Sequence, residues 1–240
     1  MGLLLKFKLI RNILFHFIFL SALITLPNLG LWQLDRLEWK NELLNNISSR
    51  QAADNITFPY NESLEDFEFR NTSVEGKFLD NTQTFFFRPN LSGQSGYNVV
   101  SAFKTIDDSV IYIDIGWIPF EQKENMGFLD IDYNKNFSLK GILISSKQRN
   151  MFSPENDYIK NIWYTLSSTE MNQFYKLNGS FFILKIIDQN YFEQTLIEFN
   201  PTQIPNNHLQ YAGTWFLLFI VVGVLYFYQV YQIIRIKWNT

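Results

Sequence analysis

The chain has 240 residues, 20 basic against 23 acidic side chains, and a formal net charge of −3. It contains no cysteine, which excludes disulfides, thiolate metal sites and cysteine nucleophiles. A mean hydropathy of −0.08 averages two greasy ends and a polar middle rich in Asn and Lys.

After a tail at 1–12, an apolar stretch runs from Ile13 to Leu31. That is long enough to cross a hydrocarbon core as a helix, which takes roughly 20 residues. The stretch exceeds the about 7–15 apolar residues of a signal peptide, and no A-x-A-like cleavage site follows, so it reads as a retained anchor. A second apolar stretch, Tyr211 to Ile234, precedes a tail at 235–240. Lys6, Lys8 and Arg11 flank the first span, Arg235 and Lys237 the second, and no acid occurs before Asp35 or after Glu198. The positive-inside bias therefore predicts both tails on the cytoplasmic or matrix side and the 32–210 domain on the other. The lipid bilayer is one expected partner. No amphipathic, Arg-rich presequence precedes the first span, which favours a bacterial protein or one made inside the organelle. Between the spans lie 15 of the basic and all 23 acidic residues, a net charge of −8. Such a domain is a poor partner for nucleic acid, which wants a basic face.

Within the middle, Arg36 to Ile47 continues the first span as a helix with apolar Leu37, Leu43, Leu44 and Ile47. Short runs rich in aromatic and β-branched residues predict strands at 74–79, 84–88, 97–104, 110–118, 139–145 and 181–187. Turn material separates them: 90–96, Asp107-Asp108 and Asn178-Gly179. Ile111, Ile113 and Ile115 alternate with Tyr112 and Asp114, which predicts one buried face. Ser167-x-x-Glu170 is a capping box that predicts a helix to Leu177. The expected fold is a membrane protein: two transmembrane helices flanking a β-rich α+β extramembrane domain, mostly antiparallel and sandwich- or barrel-like.

Chemistry is sparse. The two histidines, His16 and His208, both belong to membrane-proximal segments, where a Ser-His-Asp relay has no sheltered cleft. The carboxylates at Glu62, Glu65, Asp66 and Glu68, and at Asp130 and Asp132, lack metal-ligand partners and read as solvated surface. Asp114 reads as an outward strand residue or a turn partner. No enzyme signature is present. The informative residues cluster where the spans leave the bilayer. On a helix, Trp32, Arg36 and Trp39 share a face at i, i+4 and i+7. Past Pro205, a helix start, His208, Tyr211, Ala212 and Trp215 share another. Interfacial belts explain Trp and Tyr, but not a His or an Arg, so Arg36 and His208 are expected to meet.

Three strings then resemble one family: Leu29-Gly30-Leu31-Trp32-Gln33-Leu34-Asp35-Arg36-Leu37-Glu38-Trp39-Lys40, Ile115-Gly116-Trp117-Ile118-Pro119, and Asn206-Asn207-His208-Leu209-Gln210-Tyr211-Ala212-Gly213-Thr214-Trp215-Phe216. A weaker fourth comprises Pro154-Glu155-Asn156-Asp157 and Asn161-Ile162-Trp163-Tyr164. In order and spacing these are similar to the surfeit locus protein 1 family of cytochrome c oxidase assembly factors. Asp114-Ile115 departs from a basic residue near the glycine, which puts an anion contact there in doubt. The resemblance implies a non-enzymatic chaperone of the inner (cell) membrane of a bacterium, domain periplasmic, or alternatively of the mitochondrial inner membrane. It implies that the chaperone binds haem a transiently and passes it to the catalytic subunit of cytochrome c oxidase, with a haem a synthase as candidate donor. His208 matches the family histidine linked to haem. Neutral imidazole is an axial iron ligand, Trp32, Tyr211 and Trp215 suit a flat apolar macrocycle, and Arg36 suits its propionates. His16, roughly 22 Å deeper along the helix, is read as packing. Copper delivery is disfavoured by the missing Cys ligands. The rival reading is a membrane-tethered scaffold that holds oxidase subunits without haem.

Overall fold

The computed structural model describes residues 2–58, 67–126, 128–188, 191–197 and 206–238, with side chains described except at 2–9, 125–126 and 236–237. The chain divides into two compact units: Met1–Asn45 with Thr202–Thr240, and Asn46–Pro201.

The second unit is a closed barrel. Its five strands are β2 (Asn71–Phe78), β4 (Gly96–Thr105), β5 (Val110–Pro119), β6 (Phe137–Ser145) and β8 (Gly179–Ile186). Each hydrogen-bonds two others in the ring β2–β4–β5–β8–β6–β2. Only β5–β8 is parallel among these. A short helix, α2 (Phe120–Met126), links the third barrel strand to the fourth. This is the topology of the small Greek-key OB barrel, in which closure removes the edges that an open sheet must protect. Three short strands supplement it. β1 (Ile56–Thr57) lies parallel on β2, and β3 (Thr84–Phe87) continues the line of β2 along β4. β7 (Ile162–Trp163) lies parallel on β3.

Aromatic and β-branched residues form these strands because they pack well on a pleated surface. Alternate positions, among them Val74, Phe78, Phe103, Ile111, Ile113, Ile115, Leu143 and Leu184, fill the barrel interior. The intervening positions Val100, Ala102, Tyr112 and Ile183 form a second cluster with Trp163, Leu166 and Met171. The expectation of a single buried face on β5 is therefore corrected. Both faces are buried, because α3 (Ser168–Tyr175) and the connection leading to it cover the outside. Asp114 does point outward on this strand and accepts from the Gly116 N–H, but it too is buried.

The six expected strands correspond to β2, β3, β4, β5, β6 and β8, with ends shifted by a few residues. The largest shift is at β2, which starts at Asn71. Asn71 Nδ2 donates to the Gln51 carbonyl (2.6 Å) and Thr72 Oγ1 to that of Ile56 (2.6 Å), so polar residues extend the strand. The capping box forms only by half. Glu170 N–H donates to Ser167 Oγ at 3.2 Å, but the Glu170 carboxylate turns instead to Asn156 Nδ2 (2.7 Å) and Tyr158 OH (3.3 Å). The helix stops at Tyr175 rather than Leu177, because Lys176 adopts a left-handed conformation.

The first unit is a pair of helices. α1 (Gly2–Ala52) runs without a break through the expected span and the expected helix beyond it, passing from this unit into the barrel unit. α4 spans His208–Trp238. Both are long and apolar enough to cross a membrane, which suggests membrane association. Contacts run antiparallel, from Gly30–Phe216 through Leu23–Gly223 to His16–Tyr226. Of the apolar residues expected on the outer part of α1, Ile47 is buried while Leu43 is exposed.

Candidate functional site at the head of the helix pair

His208 is the first residue of α4, where the Tyr211 N–H closes the first turn on the Asn207 carbonyl (3.2 Å). The expected helix start at Pro205 lies outside the described residues. His208 is held close to α1 by small residues below it. Ala212 is fully buried, and a Cβ on Gly30 would stand 2.7 Å from the Phe216 ring. Small residues let two apolar helices approach this closely. At that separation His208 Nδ1 lies 2.8 Å from Gln33 Oε1. An amide oxygen only accepts, so Nδ1 is the donor in this contact, and in the neutral ring that leaves the lone pair on Nε2. Asn206 Nδ2 donates to Asn41 Oδ1 at 3.0 Å, a second polar tie between the helices.

The expected Trp32, Arg36 and Trp39 stripe forms on α1. The Arg36 guanidinium carbon lies 5.7 Å from the Trp32 ring centroid and 5.6 Å from that of Trp39, within cation–π range. The expected meeting of Arg36 with His208 is therefore corrected: Arg36 stacks between indoles, and the polar partner of His208 is Gln33. Trp215 is half-buried along the pair, and Tyr211 points outward. Gln33 is the residue that sequence reasoning passed over. It sat between Trp32 and Arg36 in the string, and its signal was its place three residues after Gly30, on the face that meets α4, whereas Trp32 and Trp39 are exposed.

His16 packs within the pair. Its Nδ1 lies 3.1 Å from Tyr226 OH, its ring meets the Tyr226 ring edge-on, and Phe15 and Phe19 stack on that same tyrosine. Of the acidic runs, Asp132 caps its own turn by accepting from Asn134 N–H (3.0 Å). Glu62, Glu65 and Asp66 lie outside the described residues. Among the described residues no three His, Asp or Glu side chains assemble to hold a metal ion. The described donor at the head of the pair is a single imidazole, and one donor does not make a site for a bare ion.

Residues 20–220 match the model of the SURF1 family. The "SURF1-like protein" of Rickettsia prowazekii (strain Madrid E) is 31% identical over 217 residues, covering 88% of this chain and 87% of its own. That of Rickettsia felis is 32% identical over 210 residues, with 84% and 90% covered. "Surfeit locus protein 1" of Homo sapiens is 26% identical over 228 residues, with 85% and 73% covered. With two long apolar helices, a Greek-key barrel and a family match over most of its length, this chain belongs to the SURF1 family.

Proposed function

We propose that this protein is an assembly factor for cytochrome c oxidase that binds haem a through His208 and passes it to the catalytic subunit. It acts by binding, without catalysis, in a bacterial inner membrane with the barrel on the periplasmic side. Relatives in both Rickettsia and vertebrates are compatible with the corresponding place in the mitochondrial inner membrane. The observation that carries this reading is the 2.8 Å contact of Gln33 with His208 Nδ1. Histidines that ligate metals usually donate the other ring N–H to an oxygen, which fixes the ring and raises its basicity.

Haem a supplies an iron with axial positions to fill, a flat apolar ring and acidic propionates. His208 Nε2 would ligate the iron. Trp215, half-buried along the pair, would supply planar apolar surface and Tyr211 a rim. Arg36, cushioned between two indoles, supplies the cation for a propionate. A single protein ligand holds the cofactor without locking it in, as transfer to a second protein requires, and a haem a synthase is the candidate source.

The test is the visible spectrum of full-length protein purified from cells that make haem a, wild type beside His208→Ala. The expected outcome is a haem spectrum in the wild type and its loss in the variant. A wild type without haem, or a variant that binds equally well, overturns the ligand assignment.

One observation favours the scaffold reading. Met151, Phe152 and Ile159 are 88%, 86% and 98% exposed on the connection between β6 and α3. Turns anchored by Asn150 and Asp157 hold them outward, so they suit contact with an oxidase subunit.

A further inference from the structure

The Gly116-Trp117 element takes no part in the helix-pair site. In the barrel it borders a row of polar side chains on the outer face. Four neighbouring strand lines contribute one each: Arg88 just past β3, Asn98 on β4, Asp114 on β5 and Lys185 on β8. Asn98, Asp114 and Lys185 are only 4%, 2% and 5% exposed, whereas Arg88 is exposed. The Asp114 carboxylate accepts both Asn98 Nδ2 contacts (2.9 and 2.8 Å) and the Gly116 N–H (3.2 Å). Lys185 Nζ lies 3.3 Å from its second oxygen.

Barrel stability does not ask for this arrangement. A buried ion pair loses so much hydration that apolar residues of similar volume often serve the fold as well. The neighbouring part of the same face does use them: Val100, Ala102, Tyr112 and Ile183 lie beneath Met171 and Trp163. The polar part instead opens on a cavity of about 280 Å³ between Asn98, Lys185 and the 88–91 turn. That turn is prebuilt. Trp117 Nε1 donates to the Arg88 carbonyl at 2.8 Å, its indole fills the space a side chain on Gly96 would need, and Asn90 Oδ1 accepts from the N–H groups of Ser92 (3.1 Å) and Gln94 (2.8 Å).

We propose that this cavity binds an oxyanion carried on a small polar body, a phosphate ester being the best match. Arg88 and Lys185 place two cationic side chains on the cavity lining, in a domain whose net charge is strongly negative. A guanidinium at the mouth offers the paired N–H groups that oxyanions take bidentately. The amide nitrogen of Asn98 faces Asp114, which leaves its oxygen to accept from a ligand hydroxyl. The cavity has the room of roughly nine waters at ~30 Å³ each, more than a bare anion fills. In barrels of this class the face of the second and third strands is the ligand face; here those strands are β4 and β5. That analogy is one of fold, and the buried charges give it chemical content.

The experiment follows the Trp117 indole N–H by NMR in the full chain, labelled at tryptophan nitrogen and held in a neutral detergent. Glycerol 3-phosphate is titrated, with glycerol as the uncharged control, and the same signal is recorded in nanodiscs of phosphatidylglycerol or phosphatidylcholine. A saturable shift with the phosphate ester alone identifies a soluble ligand. A shift in phosphatidylglycerol discs without added ester identifies a lipid headgroup. Either way Arg88→Gln, an exposed change that leaves the buried pair intact, weakens binding about tenfold or more. Asp114→Asn with Lys185→Met, which strands no charge, weakens it further. No shift up to about 10 mM ester together with none in phosphatidylglycerol, or equal affinity in Arg88→Gln, overturns the proposal. Neither result bears on haem at His208.

Discussion

At the scale of single residues, the neighbour of one imidazole sets which ring nitrogen it presents. Gln33 accepts from Nδ1, so His208 presents Nε2; without that acceptor the two tautomers compete and the ring is free to turn. Gln33→Leu therefore keeps the helices paired, since Gly30 still admits Phe216, but shifts the His208 ring nitrogens in a nitrogen-15 NMR spectrum towards a tautomer mixture. If His208 ligates haem as proposed, haem affinity is expected to fall about 10–100-fold, the usual effect of removing a metal ligand's hydrogen-bond partner. Gln33→Glu, which retains the acceptor, restores both. An unchanged nitrogen spectrum in Gln33→Leu would show that this contact does not set the tautomer, whatever becomes of haem. His208 was legible in the sequence because a lone histidine beside an aromatic belt is conspicuous. Gln33 was not, because its importance comes from the separation of two helices 175 residues apart along the chain.

At the scale of elements, two tyrosines tie α3 to the barrel, the buried Tyr112 to β5 and the half-buried Tyr175 to β3. Tyr112 OH donates to Asn172 Oδ1 at 2.9 Å, and Tyr175 OH lies 2.9 Å from Thr84 Oγ1. Burial raises the pKa of both phenols, with neighbouring Tyr175 adding to the rise at Tyr112 and the Thr84 hydrogen bond opposing it at Tyr175. In the unfolded chain they ionise near their ordinary value of about 10. A folded-state value above the unfolded one means stability that is complete below pH ~10 and declines as pH rises beyond it, because the unfolded state then holds fewer protons. Urea unfolding from pH 8 to 11.5 is expected to give a midpoint that falls above pH ~10. Tyr112→Phe is expected to lower stability by about 1 kcal/mol at pH 8, from the lost hydrogen bond, and to flatten the alkaline decline. A decline of equal steepness in the variant would place its cause elsewhere. The capping box was legible as a helix start. Its end was not, since the partners of Glu170, Asn156 and Tyr158, come from a segment with no periodicity to read.

At the scale of the whole molecule, the two readings of function separate by where damage hurts. If haem delivery dominates, His208→Ala abolishes oxidase assembly in cells, while Phe152→Ser with Ile159→Ser leaves it near wild type. If contact with subunits dominates, the order reverses. Both double-variant changes fall on exposed positions and are expected to cost the fold within about 0.5 kcal/mol, so loss of assembly there reports a lost interface rather than an unfolded barrel. Spectrophotometric oxidase levels beside immunoblots for the assembly factor give the answer.

Local chemistry was enough for two apolar helices, six of the strands and the aromatic, arginine and histidine strings, since hydrophobic period, span length and turn residues depend on neighbours along the chain. Closure of the barrel was beyond it. That rests on β2 meeting β4 and β6, and on the parallel pairing of β5 with β8, contacts whose sequence separation no local pattern records. The same holds for the second buried face of β5 and for the pairing of Asp114 with Lys185. Alternation shows that a strand has two faces, but what covers the outer one is set by whichever distant segment folds over it.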